Sequence, residues 1–134
     1  MSQHWREYVE QLEAALAEDR RGDAVELFMR VAGSSEEQIA RATSSPMWPG
    51  LEAIAHTLAY DAACLGDGLP PLARLAEIRQ PTLVATGGAA DFFEQAADAI
   101  AGAIPHAERL IIEGQGHVAE PKTVAAVLER FFGS

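Results

Sequence analysis

The sequence has one cysteine, one lysine and no long apolar run. Because Cys64 is alone, an internal disulfide is excluded, and a metal site built on two or more thiolates is excluded as well. No run of about 18 apolar residues is present, and the first residues lack the basic-then-apolar order of a signal peptide. These absences predict a cytoplasmic chain that does not span a membrane.

Positive charge is also scarce. Against 20 acidic residues stand nine arginines and Lys122, so the formal net charge is −10. The arginines are scattered rather than striped, and the net charge repels phosphate backbones and anionic lipid surfaces. Nucleic acid and membranes are therefore not expected as partners.

The sequence also predicts no cofactor and no metal. Gly87-Gly88 lacks the glycine order of phosphate-binding loops. Neither His4 nor His56 has a histidine or carboxylate four residues later that would form a convincing metal pair.

The first half of the 134 residues has helical periodicity throughout. Apolar residues from Trp5 to Leu16 recur at i, i+3 and i+4, which predicts an amphipathic helix of roughly 15 residues. Capping-box spacings start a second and a third helix, and spacing from Leu51 to Ala62 indicates a fourth. The pairs with that capping spacing are Asp23 with Glu26 and Ser35 with Gln38.

A glycine- and proline-rich linker, 66–71, divides the chain into two expected segments, 1–69 and 70–134, within one compact unit. After it the pattern changes to strands alternating with helices. Short β-favouring runs at 82–86 and 109–113 predict strands, and helical spacing follows each of them, from Phe92 and from Pro121. Such a β-α-β-α order implies two parallel strands.

The two turns that follow these strands carry the motifs. They are 87–91, ending in Asp91, and Gly114-Gln115-Gly116-His117. In open α/β sheets, reacting groups gather beyond the carboxyl ends of the strands. The arrangement resembles the end of the α/β-hydrolase family, in which a G-x-x-D turn carries the catalytic acid and a G-x-G-H turn carries the catalytic histidine.

The resemblance covers 72–133, and more weakly 3–69, whose helices look like the lid that this family inserts after its sixth strand. It implies an α/β fold with four N-terminal lid-like helices followed by a β-α-β-α unit, a truncated α/β-hydrolase fold. It also implies that Asp91 is the acid and His117 the histidine of an ester hydrolase or a related one. Two plainer interpretations stay open: Asp91 caps the next helix together with Glu94, and His117 only hydrogen-bonds a nearby carbonyl.

The chain departs from the family in one large respect. No serine has glycine at both −2 and +2, and nothing corresponds to strands one to six. Cys64, between Ala62 and Gly66, imitates a relaxed nucleophile elbow, but its helical surroundings favour an ordinary buried cysteine. We therefore expect a hydrolase-family chain that is inactive alone. The alternative is a non-catalytic binding or interaction module whose helices hold a small apolar ligand.

The expected partner follows from the first strand. In the resembled fold, strand 82–86 lies between the last strand and a sixth strand that this sequence lacks, which predicts a bare apolar edge. That edge can pair with a second copy in a homo-oligomer, receive a companion chain that supplies the missing strands, or be covered by the helices of the first half.

Overall fold

The computed structural model describes residues 3–116 and 118–133. The chain forms two compact units, Met1–Leu69 and Pro70–Ser134, called here the N-terminal unit and the C-terminal unit. The architecture is mixed α/β, mostly helical with a two-stranded parallel sheet, as the sequence predicts. Across the part of the chain that the structure describes, no helix combines the length and the apolar character that a bilayer crossing requires.

The described residues of the N-terminal unit form five α-helices and one short 3₁₀ turn, rather than four helices. The helices are α1 (Gln3–Ala17), α2 (Arg21–Val31), α3 (Glu36–Thr43), α4 (Trp48–Ile54) and α5 (Leu58–Leu65). The predicted fourth helix is divided because Ala55–Thr57 forms the 3₁₀ turn. Pro49 lies in the first turn of α4, where its missing N–H costs no hydrogen bond.

One predicted helix start is right and one is wrong. Ser35 caps α3 with the full capping box, since its hydroxyl accepts from the Gln38 N–H and the Gln38 side chain accepts from the Ser35 N–H. In contrast, α2 begins at Arg21, and Asp23 lies inside its first turn. The Asp23 carboxylate accepts from Arg20 at 2.8 Å, so it pairs with an arginine instead of capping the helix.

The buried core of the N-terminal unit lies on the apolar face of α1. Trp5, Tyr8, Leu12 and Ala15 are buried there, and they pack in one cluster with residues of α2, the 3₁₀ turn and α5. The Trp5 indole N–H donates to the Gly66 carbonyl at 3.1 Å, which fixes the end of α5 against α1. The i, i+3, i+4 pattern of the sequence therefore corresponds to a real buried face.

The C-terminal unit is a β-α-β-α unit preceded by one short helix. Its elements are α6 (Leu72–Leu75), β1 (Thr82–Thr86), α7 (Asp91–Ala103), β2 (Ala107–Ile111) and α8 (Pro121–Phe132). β1 and the start of α8 agree with the sequence prediction. β2 begins two residues earlier than predicted, because Thr82 pairs with Ala107 and the Thr82 N–H donates to the His106 carbonyl.

The parallel pairing of β1 with β2 brings the turns after both strands into direct contact. At Gly87, an added Cβ would lie 2.1 Å from the backbone oxygen of Gln115, a distance that no side chain can occupy. Gly87 is therefore required by the close approach of the second turn.

This contact predicts that Gly87→Ala destabilises the C-terminal unit. Overpacking of this kind costs about 1–3 kcal/mol. Urea unfolding followed by the amide NMR signals of β1 and β2 measures the loss. Gly102→Ala in α7 is the matched control, since nothing lies within 4 Å of a Cβ there and the change should be neutral or slightly stabilising. Equal stability of the two variants would contradict the prediction.

Candidate functional site

The structure brings together the two turns in which the sequence places the candidate acid and histidine. The close approach of Gly87 to Gln115 makes the turn before Asp91 a direct neighbour of the turn that leads to Gly116. His117 itself lies outside the described residues. The described parts of both turns thus lie at the carboxyl end of the β1–β2 sheet, the edge where α/β folds place reacting groups.

Asp91 is the first residue of α7, and its side chain is exposed. The interpretation of Asp91 as the helix cap is wrong, because the cap position is Ala90 and no side chain hydrogen-bonds the helix start there. Among the described residues, no hydrogen bond or ion pair engages the Asp91 carboxylate. This carboxylate is therefore not committed to a described structural contact.

Glu94, one turn further along α7, is the carboxylate that holds the end of β1. Its Oε2 accepts from the Thr86 hydroxyl at 2.8 Å, and its Oε1 accepts from the Gly88 N–H at 3.1 Å. The Arg109 guanidinium of β2 donates to the same Oε2. One side chain thus joins the end of β1, the turn after it and the neighbouring strand.

Arg109 completes this group, called here the Glu94 cluster and made of Thr86, Gly88, Glu94, Asp98 and Arg109. The guanidinium also donates to Asp98 Oδ1 and Thr86 Oγ1, both at 2.9 Å, and to the Leu110 carbonyl at 2.8 Å. The side chains of Glu94 and Arg109 are each only 20% exposed, so water screens their attraction less than at an open surface.

The cluster shifts the pKa values of its charged members toward the charged forms. The hydrogen bond from the Thr86 hydroxyl, followed by the contacts with Arg109 and Gly88, lowers the pKa of Glu94 against the opposing effect of burial. Burial also opposes the charge of Arg109, but hydrogen bonds to Asp98 and Glu94 outweigh it and raise the pKa of that group. The ion pair therefore persists over the neutral pH range.

A second carboxylate, that of Glu120, organises the start of α8. Glu120 caps α8: its side chain accepts from the N–H groups of Lys122 and Thr123 and from the Thr123 hydroxyl. These hydrogen bonds, that of the hydroxyl foremost, lower the pKa of Glu120. The Glu120 N–H donates to the Gln115 side chain at 2.7 Å, which ties residue 115 to the start of α8 on the other side of position 117.

The other candidate residues of the sequence, Cys64 and the possible metal ligands, do not form a nucleophile elbow or a metal site within the described part of the chain. Cys64 lies near the end of α5 rather than after a strand, so it is not at a nucleophile elbow. It is also exposed, which corrects the expectation that it is buried. Among residues 3–116 and 118–133, no three His, Cys, Asp or Glu side chains lie close enough together to hold a metal ion.

The N-terminal unit has a surface groove of about 280 Å³ between α1 and α2. Its lining includes four charged side chains, and hydrogen bonds pair both arginines with carboxylates. These side chains are Arg20, Asp23, Glu26 and Arg30. This groove is lined by charged side chains, and the small apolar ligand expected from the sequence stays a prediction.

The spacing of Glu94 in the sequence indicates only a capping role, and its ion pair with Arg109 was not predicted. A signal was available, because Arg109 is a charged residue at the start of the apolar run 110–112 and favours a carboxylate in reach when it is partly buried. The partner could not be chosen without the register, since Glu94 and Asp98 lie 15 and 11 residues from Arg109 along the chain.

The chain is similar to a solved α/β hydrolase. The crystal structure of an alpha/beta hydrolase from Sphaerobacter thermophilus matches 93% of this chain at 46% sequence identity, with a TM-score of 0.78. The match covers 49% of that hydrolase, so this chain spans about half of its length. No protein-family profile and no curated protein match the chain. With its two parallel strands, its turn motifs and this similarity, the chain is a partial α/β-hydrolase-fold protein.

Proposed function

We propose that the chain supplies the acid and histidine half of a hydrolase site for esters or related acyl compounds, and that it is inactive alone. The similarity to a hydrolase supports this, as does the contact between the turn before Asp91 and the turn before His117. The observation that carries the proposal is the exposed Asp91 carboxylate, which has no described structural role next to that contact.

In this proposal Asp91 orients the His117 imidazole and stabilises its protonated form. The other imidazole nitrogen takes a proton from a hydroxyl nucleophile as that oxygen attacks the ester carbonyl, and it returns the proton to the leaving alcohol. The same nitrogen then takes a proton from water as the water oxygen attacks the acyl carbonyl, which breaks the acyl bond to the nucleophile, releases the carboxylic acid and returns the proton to the nucleophile oxygen. The chain contains no G-x-S-x-G elbow, so the nucleophile and the oxyanion donors belong to a further polypeptide segment. The ester class of substrate rests on the resemblance of the turn motifs to the α/β-hydrolase family.

The pairing of Asp91 with His117 is testable in the isolated chain by NMR titration. A nearby carboxylate favours the imidazolium, so the pKa of His117 should lie above the ordinary histidine value, and Asp91→Asn should lower it by about 1 unit. The signal is assigned with His117→Ala, and the three other histidines of the chain serve as internal references. Asp67→Asn, in the linker, is the control for loss of one negative charge. An equal change with both variants would refute the pairing.

The isolated chain should not hydrolyse a panel of short chromogenic esters above the buffer rate. The reason is the missing elbow, since a histidine and an acid alone do not provide an acyl-accepting hydroxyl. His117→Ala and Cys64→Ala should give the same background rate as the unchanged chain. Turnover that disappears with His117→Ala would show a complete site within this chain, and turnover that disappears with Cys64→Ala would assign the nucleophile to the thiol.

The open edge of β1 is where a partner would add. Thr82 and Thr86 hydrogen-bond toward β2, through His106 and Ile112. Because backbone groups alternate sides along a strand, those of Leu83 and Ala85 point to the other edge. In the described part of the C-terminal unit, no further strand lies on that side.

A second copy fits this edge by symmetry. If two β1 strands pair antiparallel about Val84, Leu83 of each copy exchanges both hydrogen bonds with Ala85 of the other. The strand residues carry no charge, so this pairing avoids direct repulsion between two acidic chains. In our proposal a second copy occupies the edge in the isolated protein, and a companion segment that carries the elbow takes its place in the active assembly.

Light scattering should therefore give twice the chain mass of 14.3 kDa. Ala85→Pro removes an N–H on the open edge but none that pairs with β2, so it should give the mass of one chain. Ala85→Ser keeps the N–H and is the matched control. A single-chain mass for the unchanged protein, with slow amide exchange at Leu83 and Ala85, would contradict the dimer and indicate that the chain covers its own edge.

The alternative function is a non-catalytic interaction module. Large apolar side chains of the C-terminal unit are exposed, among them Ile111 at 48% and Phe132 at 77%, and surfaces of this kind favour protein partners. The NMR titration separates the two functions, because an interaction module does not need Asp91 to raise the pKa of His117.

A further inference from the structure

Both carboxylate oxygens of Glu94 accept hydrogen bonds from residues that precede Asp91 in the sequence. Oε1 accepts from the Gly88 N–H, and Oε2 accepts from the Thr86 hydroxyl. These contacts fix the end of β1 and the second residue of the turn that leads to α7. Asp91 lies three residues before Glu94 on the same helix, so both carboxylates project from neighbouring positions on it.

The Glu94 carboxylate is already occupied, which separates its role from that of Asp91. Arg109 neutralises it, and Arg109 is itself held by Asp98 and by the Leu110 carbonyl. A carboxylate that is committed to three donors is poorly placed to orient an imidazole as well. Asp91 is exposed and has no such described contacts. Of the two acidic residues at the start of α7, Glu94 holds the preceding turn in place, and Asp91 is the one with no described contact that would keep it from an imidazole.

We infer that Glu94 is a positioning residue, which sets the backbone from Gly88 to Asp91 so that the Asp91 carboxylate can reach His117. The inference rests on the proposed function for its catalytic meaning. Its structural part, that Glu94 determines the conformation of the turn, can be tested independently of that function.

The structural part is tested with Glu94→Ala against Asp98→Ala. Both variants remove one carboxylate of α7 that pairs with Arg109, but among the described residues Asp98 accepts no hydrogen bond from Thr86 or Gly88. Glu94→Ala should shift or broaden the amide NMR signals of Ala89, Ala90 and Asp91, and Asp98→Ala should leave them in place. Equal spectra for these three residues in both variants would overturn the inference.

The charge state of Glu94 provides a second test, the pH dependence of the Gly88 amide signal. If Glu94 acted only by packing, this signal would not depend on its charge. The pKa of Glu94 is lowered, so its hydrogen bonds are present above the ordinary glutamate range and are lost as the pH falls through the folded value. In the unchanged chain, the Gly88 amide signal should titrate in that acid range. Glu94→Gln keeps the size of the side chain, and it also replaces Glu94→Ala if that variant does not fold. In Glu94→Gln the pH dependence of the Gly88 amide signal should disappear. Its persistence would overturn the inference.

The catalytic part is tested by a double-mutant cycle on the pKa of His117. If Glu94 acts through Asp91, Glu94→Ala should produce most of the decrease seen with Asp91→Asn, and the double variant should match Asp91→Asn alone. Additive decreases would mean that Glu94 acts on His117 only as a separate charge, and the positioning role would be wrong. If Asp91→Asn itself has no effect, the proposed function fails, and the amide signals alone decide the role of Glu94.

Discussion

The parallel pairing of β1 with β2 is the constraint on which the C-terminal unit depends. Parallel strands place their carboxyl ends at the same edge, so a five-residue register from Thr82 with Ala107 to Thr86 with Ile111 also fixes where both following turns begin. Gly87 permits those turns to touch. The Glu94 cluster then joins both strands to α7, through a hydroxyl, a backbone N–H and a guanidinium that converge on one carboxylate.

The two units differ in how well they bury apolar residues. The N-terminal unit buries aromatic and aliphatic side chains in one cluster along α1. In the described part of the C-terminal unit, the buried hydrophobic residues are Ala97 and Ile104, whereas Phe92, Phe93 and Leu128 are 39–45% exposed. A sheet of two strands has too little area to cover helices on its faces, which agrees with a chain that spans about half of the hydrolase it matches.

Local signals allowed much of the fold to be predicted from sequence. The strand 82–86, the capping box at Ser35 and the start of α8 at Pro121 were predictable because each depends on neighbouring residues. Two predictions that were wrong have different causes. The bounds of β2 depend on its long-range register with β1. The error at α2 is local, because Asp23 accepts from Arg20, three residues earlier, instead of capping the helix.

In the candidate site, too, some features could be predicted from local sequence and others depend on the folded sheet. The turns that carry Asp91 and precede His117 were located from glycines and flanking strands, and the described parts of both turns follow β1 and β2 as expected. The contacts of Glu94 could not be predicted, because they join three elements whose spacing only the folded sheet defines. The exposure of Cys64 was missed for a related reason, since helical spacing does not reveal which face of a helix near a linker is covered.

The separation into two units also has a spectroscopic consequence. Both tryptophans, Trp5 and Trp48, and both tyrosines, Tyr8 and Tyr60, belong to the N-terminal unit, whereas the aromatic residues of the C-terminal unit are phenylalanines and histidines. Near-ultraviolet absorbance and intrinsic fluorescence of this protein therefore originate almost entirely from the unit that does not carry the candidate site. An optical melting curve recorded on those chromophores reports the N-terminal unit, and unfolding of the C-terminal unit has to be followed with other probes, such as its NMR signals.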